Sequence, residues 1–296
     1  MTGGRRTRRS AETLAPLLLI WLALGLLAVP TVRAEDTFAP LKKRLIDDGL
    51  SQQQVMMAFQ PAPSPMFTTI SKTLRMRESQ LNYNQFLSAS NLRKAQGFAI
   101  SHGGTLRRAE AQYGVDRNVI VAILLVETQL GSYTGEIPTL AVLATFALMD
   151  SKGSRDRVWA LLSSSDRKRW DRDAFDQKLL KRADWAYGEV RALLEVSQTQ
   201  GRRPDLYRGS VMGAIGWPQF LPSSLLKFGV DADRDGRIDL YQPEDAISSV
   251  ANYLRGYGWS DSLSRPEKEE VIHHYNKSRP YVATILEIAS RLGASS

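Results

Sequence analysis

The sequence predicts a mainly α fold, and three observations support that prediction. Long segments repeat apolar residues at the three- and four-residue spacing of one helix face. Residues with helix-capping chemistry flank these segments, and only short stretches such as residues 237–240 favour a strand. The 296 residues include no cysteine, so packed apolar side chains have to hold the fold together.

Residues 1–34 have the pattern of a secretory signal peptide. Four arginines open the segment, an apolar run of about 16 residues follows, and the small-residue pattern Val32-Arg33-Ala34 ends it. The run is shorter than the roughly 20 residues that a transmembrane helix needs. We therefore expect export to the periplasm, cleavage after about Ala34 and no stable membrane anchor, with residues 35–296 forming the catalytic domain.

The charge of the chain argues against a nucleic-acid-binding protein. The formal net charge of +8 falls to +4 without residues 1–34, which contain five arginines and one glutamate. Nucleic-acid binders usually carry clustered basic stripes, and the charge that remains after residue 34 offers little case for such binding. A weakly positive surface suits a mildly anionic substrate instead.

Helical segments follow one another along the chain after residue 34. Residues 35–59 have helical spacing until the proline-rich break at residues 60–65, and residues 87–113 have it again until Gly114. Further helices are expected at residues 139–149, 171–198, 243–257 and 281–292.

Residues 117–130 give the clearest helix signal. Asp116 is a good N-cap residue, and Gly131 is suited to the position just after a helix end. Residues 119–126 are apolar on every side, and a helix of that kind is normally buried.

Glu127 interrupts the apolar face of this helix. The other members of the face stand at helical spacing and are Ile120, Ile123, Leu124 and Leu130. Burial and the partial negative charge of the helix end both favour a neutral carboxylic acid over a carboxylate. A carboxylic acid that keeps its proton near neutral pH can protonate a departing glycosidic oxygen. On the helix alone, a structural pair between Glu127 and a buried arginine, or a solvated side chain, stays open as the alternative.

Two blocks of sequence resemble the membrane-bound lytic transglycosylase B family. Residues 111–131 are similar to its catalytic helix, in which a glutamate is followed by Thr or Ser and later by Gly, and have the sequence AQYGVDRNVIVAILLVETQLG. Residues 209–259 are similar to its second block and have the sequence GSVMGAIGWPQFLPSSLLKFGVDADRDGRIDLYQPEDAISSVANYLRGYGW. The second block is long enough to be highly specific.

The resemblance implies a lysozyme-like helical fold with a small β element and a groove for glycan strands. It also implies non-hydrolytic cleavage of the bond between N-acetylmuramic acid and N-acetylglucosamine in peptidoglycan. Glu127 would protonate the leaving oxygen and then deprotonate the C6 hydroxyl of the same muramic acid, giving a 1,6-anhydro end. This chemistry needs no cofactor and only one carboxylate, whereas most glycosidases use two.

The resemblance also implies a set of sugar-binding residues. Ser210 and Gln219 correspond to residues that hydrogen-bond the sugar and its N-acetyl group near the bond to be cut. Tyr275 and Asn276 resemble a Tyr-Asn pair that lines the groove opposite the glutamate. Trp217 is expected either to be structural or to stack on a sugar ring.

An acidic segment in the second block predicts a cation site. Asp231, Asp233 and Asp235 occupy positions 1, 3 and 5 of an EF-hand loop, and the Arg237 carbonyl occupies position 7. Gln242 stands at position 12, where a bidentate carboxylate is usual, but Asp245 is able to supply that ligand from a lengthened loop. We expect a structural Ca²⁺ or weakly held Na⁺, and an empty acidic turn is the alternative.

Two other functions stay open from the sequence. A hydrolytic muramidase would use water on the same substrate, and a calcium-dependent wall-binding module would have no catalytic role. The acid on an apolar helix face favours an enzyme, because binding alone gives no reason to bury it. The expected partners are peptidoglycan strands, together with proteins of cell-wall synthesis or division.

Overall fold

The computed structural model of the chain describes residues 36–76 and 82–294, and this part is mainly α, as the sequence predicts. The elements, in chain order, are α1 Ala39–Asp47, α2 Gln52–Ala58, α3 Phe67–Thr73, α4 Ala89–Ser101, α5 Gly103–Tyr113, α6 Arg117–Thr128, β1 Ile137–Pro138, α7 Thr139–Ala147, α8 Lys152–Ala160, α9 Ser164–Arg167, α10 Arg172–Thr199, β2 Arg208–Gly209, α11 Pro222–Phe228, α12 Pro243–Gly256, α13 Arg265–Tyr275 and α14 Arg279–Gly293. Among the described residues, 3-10 turns lie at Tyr83–Leu87, Leu148–Asp150 and Pro204–Leu206.

Helix α6 lies at the centre of one group of helices. Every residue from Val119 to Leu125 is buried, and α6 packs against α4, α5, α12 and α14. The prediction of a buried helix is therefore confirmed. Burying each Ile or Leu side chain contributes about 1.5–3 kcal/mol, which holds the helix end that carries Glu127 in a fixed place.

The two ends of α6 follow different physical rules. Asp116 caps the start by accepting a hydrogen bond from the Asn118 N–H at 2.8 Å, as expected. The predicted end at Leu130 is wrong, because the helix stops at Thr128. Gln129 and Leu130 have φ values of 49° and 60°, in the left-handed region that cannot continue a right-handed helix. Apolar spacing alone carries no signal for that change.

A second group of helices is built around α10, the 28-residue helix. Asp171 caps it by accepting from the Ala174 N–H at 2.9 Å, and the helix packs against α7 and α11. Near its middle, the buried Glu189 carboxylate accepts hydrogen bonds from the Ser223 N–H at 2.9 Å and the Ser223 hydroxyl at 2.8 Å. These bonds tie the start of α11, and hence the segment just before it, to α10.

The small β element forms at a different place from the one the sequence favours. Strands β1 and β2 are antiparallel, with Ile137 opposite Gly209. The strand expected at residues 237–240 is absent. Side chains occupy the N–H groups there: Ile238 N–H donates to Gln200 Oε1 at 2.9 Å, and Asp239 N–H donates to Asp245 Oδ2 at 2.6 Å. A strand ladder therefore has no donors to use at these two positions.

Two long helical predictions are each broken once. In the helix predicted for residues 35–59, the described residues form α1 and α2, separated at Gly49. The φ of Gly49 is 96°, which ends α1, and the Leu50 N–H donates to the Leu45 carbonyl at 3.0 Å. Residues 87–113 form α4 and α5, which meet at His102 next to two glycines of low helix propensity. Gly114, with φ of 64°, ends α5 as expected.

The predicted signal peptide, residues 1–34, lies outside the described residues. Within residues 36–76 and 82–294, none of the helices combines the length and the apolar character that a bilayer span requires.

Candidate active site

Glu127 is the penultimate residue of α6. Its side chain is half-buried, whereas the preceding residues 119–125 are fully buried. The Tyr281 hydroxyl donates a hydrogen bond to Glu127 Oε1 at 2.7 Å. That bond favours the carboxylate, whereas partial burial favours the neutral acid. A half-buried carboxyl group with both influences acting on it is suited to giving up and taking back a proton.

Tyr281 was missed by the sequence analysis as a site residue. It lies near the start of α14, is 1% exposed, and packs edge-on against Tyr83 with 6.0 Å between the ring centroids. Burial, and then the neighbouring Glu127 carboxylate, raise the pKa of Tyr281 well above the usual value of 10.0. Nothing in the sequence indicated that α14 would bring this hydroxyl to Glu127, 154 positions earlier.

Tyr275 stands near the same carboxyl group at the end of α13. Burial, and then the Glu127 charge, raise the pKa of Tyr275 well above 10.0. Its hydroxyl donates to the Pro218 carbonyl at 2.6 Å, which holds the segment that carries Trp217 and Gln219. Asn276 follows directly and is half-buried, and its side chain has no hydrogen bond to the part of the chain described here.

Thr128 joins the end of α6 to that same segment. Its side chain is 1% exposed, donates to the Trp217 carbonyl at 2.9 Å and accepts from the Gly131 N–H at 3.0 Å. The Trp217 ring packs on Gly131 so closely that a Cβ there would collide with the indole. Glycine at position 131 is therefore required both by this contact and by its φ of 85°.

The Trp217 ring is half-buried, with Phe98 and His102 centroids at 6.0 and 6.4 Å. These contacts give Trp217 a structural role. Part of the ring is exposed, so stacking of Trp217 on a sugar ring stays a prediction.

Hydrogen bonds to backbone groups orient the Ser210 and Gln219 side chains, and they leave one donor and one acceptor available to a ligand. Ser210 Oγ accepts hydrogen bonds from the Met212 and Ala214 N–H groups, both at 3.2 Å, so the Ser210 hydroxyl is available to donate a hydrogen bond to a ligand. The Gln219 amide nitrogen donates to the carbonyls of Thr134 at 3.0 Å and Gly216 at 2.9 Å, which directs the acceptor oxygen elsewhere. The backbone φ of Gln219 is 52°, a strained conformation of the kind found at binding sites.

The connection between α6 and β1, residues 129–136, brings these parts together. It begins at the Thr128 contacts, it is bonded to Gln219 through the Thr134 carbonyl, and its Gly135 backbone lies directly against Gly209 and Ser210. The predicted site residues Ser210, Trp217 and Gln219 thus contact this connection directly. Glu127 lies just before it in α6, and Tyr275 is joined to the same region through the Pro218 carbonyl.

A separate groove of about 520 Å³ lies between α2 and the C-terminal end of α10. Glutamines, Met57 and two arginines line much of it, and its lining has no Asp, Glu or His. This groove offers no general acid, so it does not compete with Glu127 as the candidate centre for acid–base chemistry.

The acidic loop brings together three of its predicted ligands. Carboxylate oxygens of Asp231, Asp233 and Asp245 lie within 4.8 Å of one another. Asp235 lies outside that group, and its Oδ1 accepts from the Arg237 N–H at 2.8 Å. Three convergent carboxylates are the oxygen ligands that Ca²⁺ prefers, so the residues present fit such a cation.

Asp245 closes the loop from the start of α12. Its carboxylate accepts from the Ala232 N–H at 2.8 Å and from the Asp239 N–H at 2.6 Å, and it is 2% exposed. Burial raises the pKa of Asp245, although the two backbone hydrogen bonds oppose that shift. A bound cation would favour the charged carboxylate and offset the cost of burying it.

Comparison with known proteins places these features in a family context. The family model described as "Transglycosylase SLT domain" matches residues 33–268. The chain is 31% identical over 175 residues to membrane-bound lytic murein transglycosylase B of Escherichia coli strain K12. That alignment covers 59% of this chain and 40% of the relative, so the chain spans less than half of the relative's length.

Solved structures share the fold at lower identity. Soluble lytic transglycosylase SltB1 from Pseudomonas aeruginosa matches with a TM-score of 0.70 and 23% identity over 87% of this chain and 98% of that chain. Escherichia coli lytic transglycosylase Slt35, in complex with calcium, matches with a TM-score of 0.68 and 20% identity over 88% and 93% of the two chains. These matches confirm the predicted lysozyme-like helical fold.

Proposed function

Because the chain belongs to the transglycosylase SLT domain family, we propose that it is a lytic transglycosylase of peptidoglycan. It cleaves the β-1,4 bond between N-acetylmuramic acid and N-acetylglucosamine and leaves a 1,6-anhydro end. The observation that carries this proposal is the half-buried Glu127 carboxyl group, bonded to Tyr281 and connected to the segment of Ser210 and Gln219.

In the first step Glu127 acts as the general acid. Its carboxyl proton passes to the glycosidic oxygen as the bond between that oxygen and C1 of the muramic acid breaks. The carboxylate left behind gains the charge that Tyr281 is positioned to stabilise through its hydrogen bond. Hydrogen bonds to a charged group contribute about 1.5–3 kcal/mol.

In the second step Glu127 acts as the base. The carboxylate removes the proton from the C6 hydroxyl of the same muramic acid, and that oxygen forms the new bond to C1. The nucleophile comes from within the substrate, so the reaction gains the advantage of an intramolecular step and needs no second carboxylate. The raised pKa values of Tyr275 and Tyr281 keep both phenols protonated near neutral pH, so Tyr281 remains a donor throughout.

The sugar-binding residues act by position. The Ser210 hydroxyl donates a hydrogen bond to a sugar oxygen, and the Gln219 oxygen accepts a hydrogen bond, for example from an N-acetyl N–H group. Asn276 offers a side-chain amide that makes no hydrogen bond to the described residues of the chain. This role is supported by the hydrogen bonds that already orient Ser210 and Gln219.

We further propose that the acidic loop holds a structural Ca²⁺, or a weakly bound Na⁺, through Asp231, Asp233 and Asp245. The closeness of these carboxylates and the calcium complex of Slt35 both support this assignment. The cation takes no part in the chemistry.

Residues 1–34 direct export to the periplasm, where peptidoglycan strands and proteins of wall synthesis or division are the expected partners.

Mass spectrometry of purified peptidoglycan digested by the protein tests the reaction. Products with 1,6-anhydro ends are expected. Reducing ends would instead identify a hydrolytic muramidase, and the absence of soluble products would identify a binding module.

Glu127→Gln tests the residue. We expect the rate of product release to fall by roughly 100- to 10,000-fold, because the amide has no proton to transfer. Glu195→Gln, at an exposed glutamate of α10, is the matched control and should leave the rate unchanged. A Glu127→Gln enzyme with near-normal turnover would exclude Glu127 as the acid.

A further inference from the structure

Tyr133 is a large aromatic residue that the fold leaves 69% exposed. Single exposed aromatic residues are common and need no special explanation. The position of this one is informative, because it lies in the connection of residues 129–136, six positions after Glu127.

The backbone around Tyr133 is held in place from the side of α6. The Tyr133 N–H donates to the Thr128 carbonyl at 2.9 Å, and the Gly131 N–H donates to Thr128 Oγ1 at 3.0 Å. Both acceptors belong to the residue next to Glu127. Tyr133 is therefore presented to solvent from a fixed backbone position.

The same connection is held from the side of the predicted sugar-binding residues. The carbonyl of Thr134, the next residue, accepts from the Gln219 amide at 3.0 Å. One residue further on, the Gly135 backbone lies directly against Gly209 and Ser210. The backbone of Tyr133 thus belongs to a segment that contacts both the residue next to Glu127 and the two residues expected to bind the sugar.

We propose that Tyr133 forms an additional subsite for a pyranose ring of the glycan strand, beside the sugars at the bond to be cut. This inference rests on the proposed function, because it takes a glycan strand as the ligand. The faces of a pyranose ring carry C–H groups that pack on an aromatic face, and tyrosine offers a large rigid surface with few rotatable bonds to order. Tyr133 contacts no reacting atom, so it affects binding rather than the chemical step.

Binding of soluble, peptide-free glycan strands to Glu127→Gln protein measures the subsite without turnover. Adding Tyr133→Ala is expected to raise Kd by about three- to tenfold, the size of an aromatic stacking contact. Tyr133→Phe keeps the ring and is expected to stay within about twofold of the parent Kd. Met57→Ala, at a side chain of α2 that is 65% exposed, is the matched control and is expected to change nothing.

Steady-state kinetics with Glu127 intact separate binding from chemistry. Tyr133→Ala is expected to raise KM by a similar factor and to leave kcat within about twofold. The inference is overturned if Tyr133→Ala binds like its parent, if Tyr133→Phe loses as much as Tyr133→Ala, or if the effect appears in kcat alone. Failure of the proposed function has a different signature: the unmodified protein would then release no 1,6-anhydro products from peptidoglycan.

Discussion

At the scale of single residues, the candidate site brings together a carboxyl group and a phenol that lie far apart in the sequence. Tyr281 donates to Glu127 at 2.7 Å, and its pKa is raised by burial and by that carboxylate. The phenol therefore stays neutral while Glu127 changes its protonation state. Its hydrogen bond is worth most when Glu127 is charged, which is the state produced by the first step of the proposed reaction.

Tyr281→Phe removes this hydrogen bond and keeps the ring packed against Tyr83. We expect kcat to fall about 10- to 100-fold with little change in KM, because a hydrogen bond to a charged group contributes about 1.5–3 kcal/mol. Steady-state kinetics on glycan strands check this expectation. Tyr113→Phe on α5, which loses only a bond to Gln112, is the control. An unchanged kcat in Tyr281→Phe would mean that Glu127 does not need this donor.

At the scale of elements, the end of α6 joins the helix that carries the proposed acid, Glu127, to the predicted sugar-binding segment. The buried Thr128 hydroxyl satisfies the Trp217 carbonyl and the Gly131 N–H at the same time. Without it, both backbone groups would lack these bonds in a partly buried setting, where each unsatisfied group costs about 1–3 kcal/mol.

Thr128→Val keeps the shape of the side chain and removes the hydroxyl. We expect the free energy of unfolding to fall by about 1–3 kcal/mol, and kcat/KM to fall as the segment of Trp217 and Gln219 shifts relative to Glu127. Urea denaturation and kinetics measure the two effects. Thr128→Ser restores the hydroxyl and should recover most of both. A valine variant with wild-type stability and activity would show that the joint does not depend on this side chain.

The acidic loop is a second element that can be tested alone. After treatment with a chelator, Ca²⁺ at about 100 times its Kd is expected to raise Tm by about 5–10 °C, since binding to the folded state alone adds about 2.7 kcal/mol. Differential scanning calorimetry measures the shift. Asp231→Asn should abolish it, and Asp184→Asn, on the exposed side of α10, should not. A Tm that does not change with Ca²⁺ would mean that the loop is an acidic turn that binds no cation.

At the scale of the whole molecule, buried phenols make the free energy of unfolding depend on pH in the alkaline range. Tyr207 is 2% exposed, and its hydroxyl has no hydrogen-bond partner within the described ranges. Burial raises the pKa of Tyr207 to about 12, against the Arg202 guanidinium, which acts in the opposite direction. Because the folded pKa is above the unfolded value of 10.0, the contribution of the neutral phenol is present below pH 10 and is lost as pH rises through 12.

Tyr207→Phe tests this linkage. At pH 8 we expect the variant to be as stable as the parent or about 1 kcal/mol more stable, because an unsatisfied buried hydroxyl is removed. Between pH 8 and pH 11 the parent should lose more stability than the variant. Urea midpoints at the two pH values measure the difference. Equal losses in both proteins would show that the pKa of Tyr207 is the same in the folded and the unfolded protein.

Local signals in the sequence determined much of the molecule. The apolar run before Glu127 required a buried helix, Asp116 marked a helix start, and Gly114 marked a helix end, because capping and periodicity depend only on nearby residues. The same signals gave no account of the breaks at Gly49 and His102. Both predicted helices had apolar spacing that continued across the breaks.

The sequence by itself determined a mainly α chain with one acid on a buried helix, and two blocks of residues that identified its family. Only the tertiary structure decided that Tyr281 faces Glu127, that Thr128 holds the Trp217 carbonyl, and that β1 pairs with β2 instead of forming at residues 237–240. The physical reason is distance along the chain. Spacing and capping report contacts within a few residues, whereas these contacts join segments 70 to 154 positions apart, and they exist only after the helices have packed.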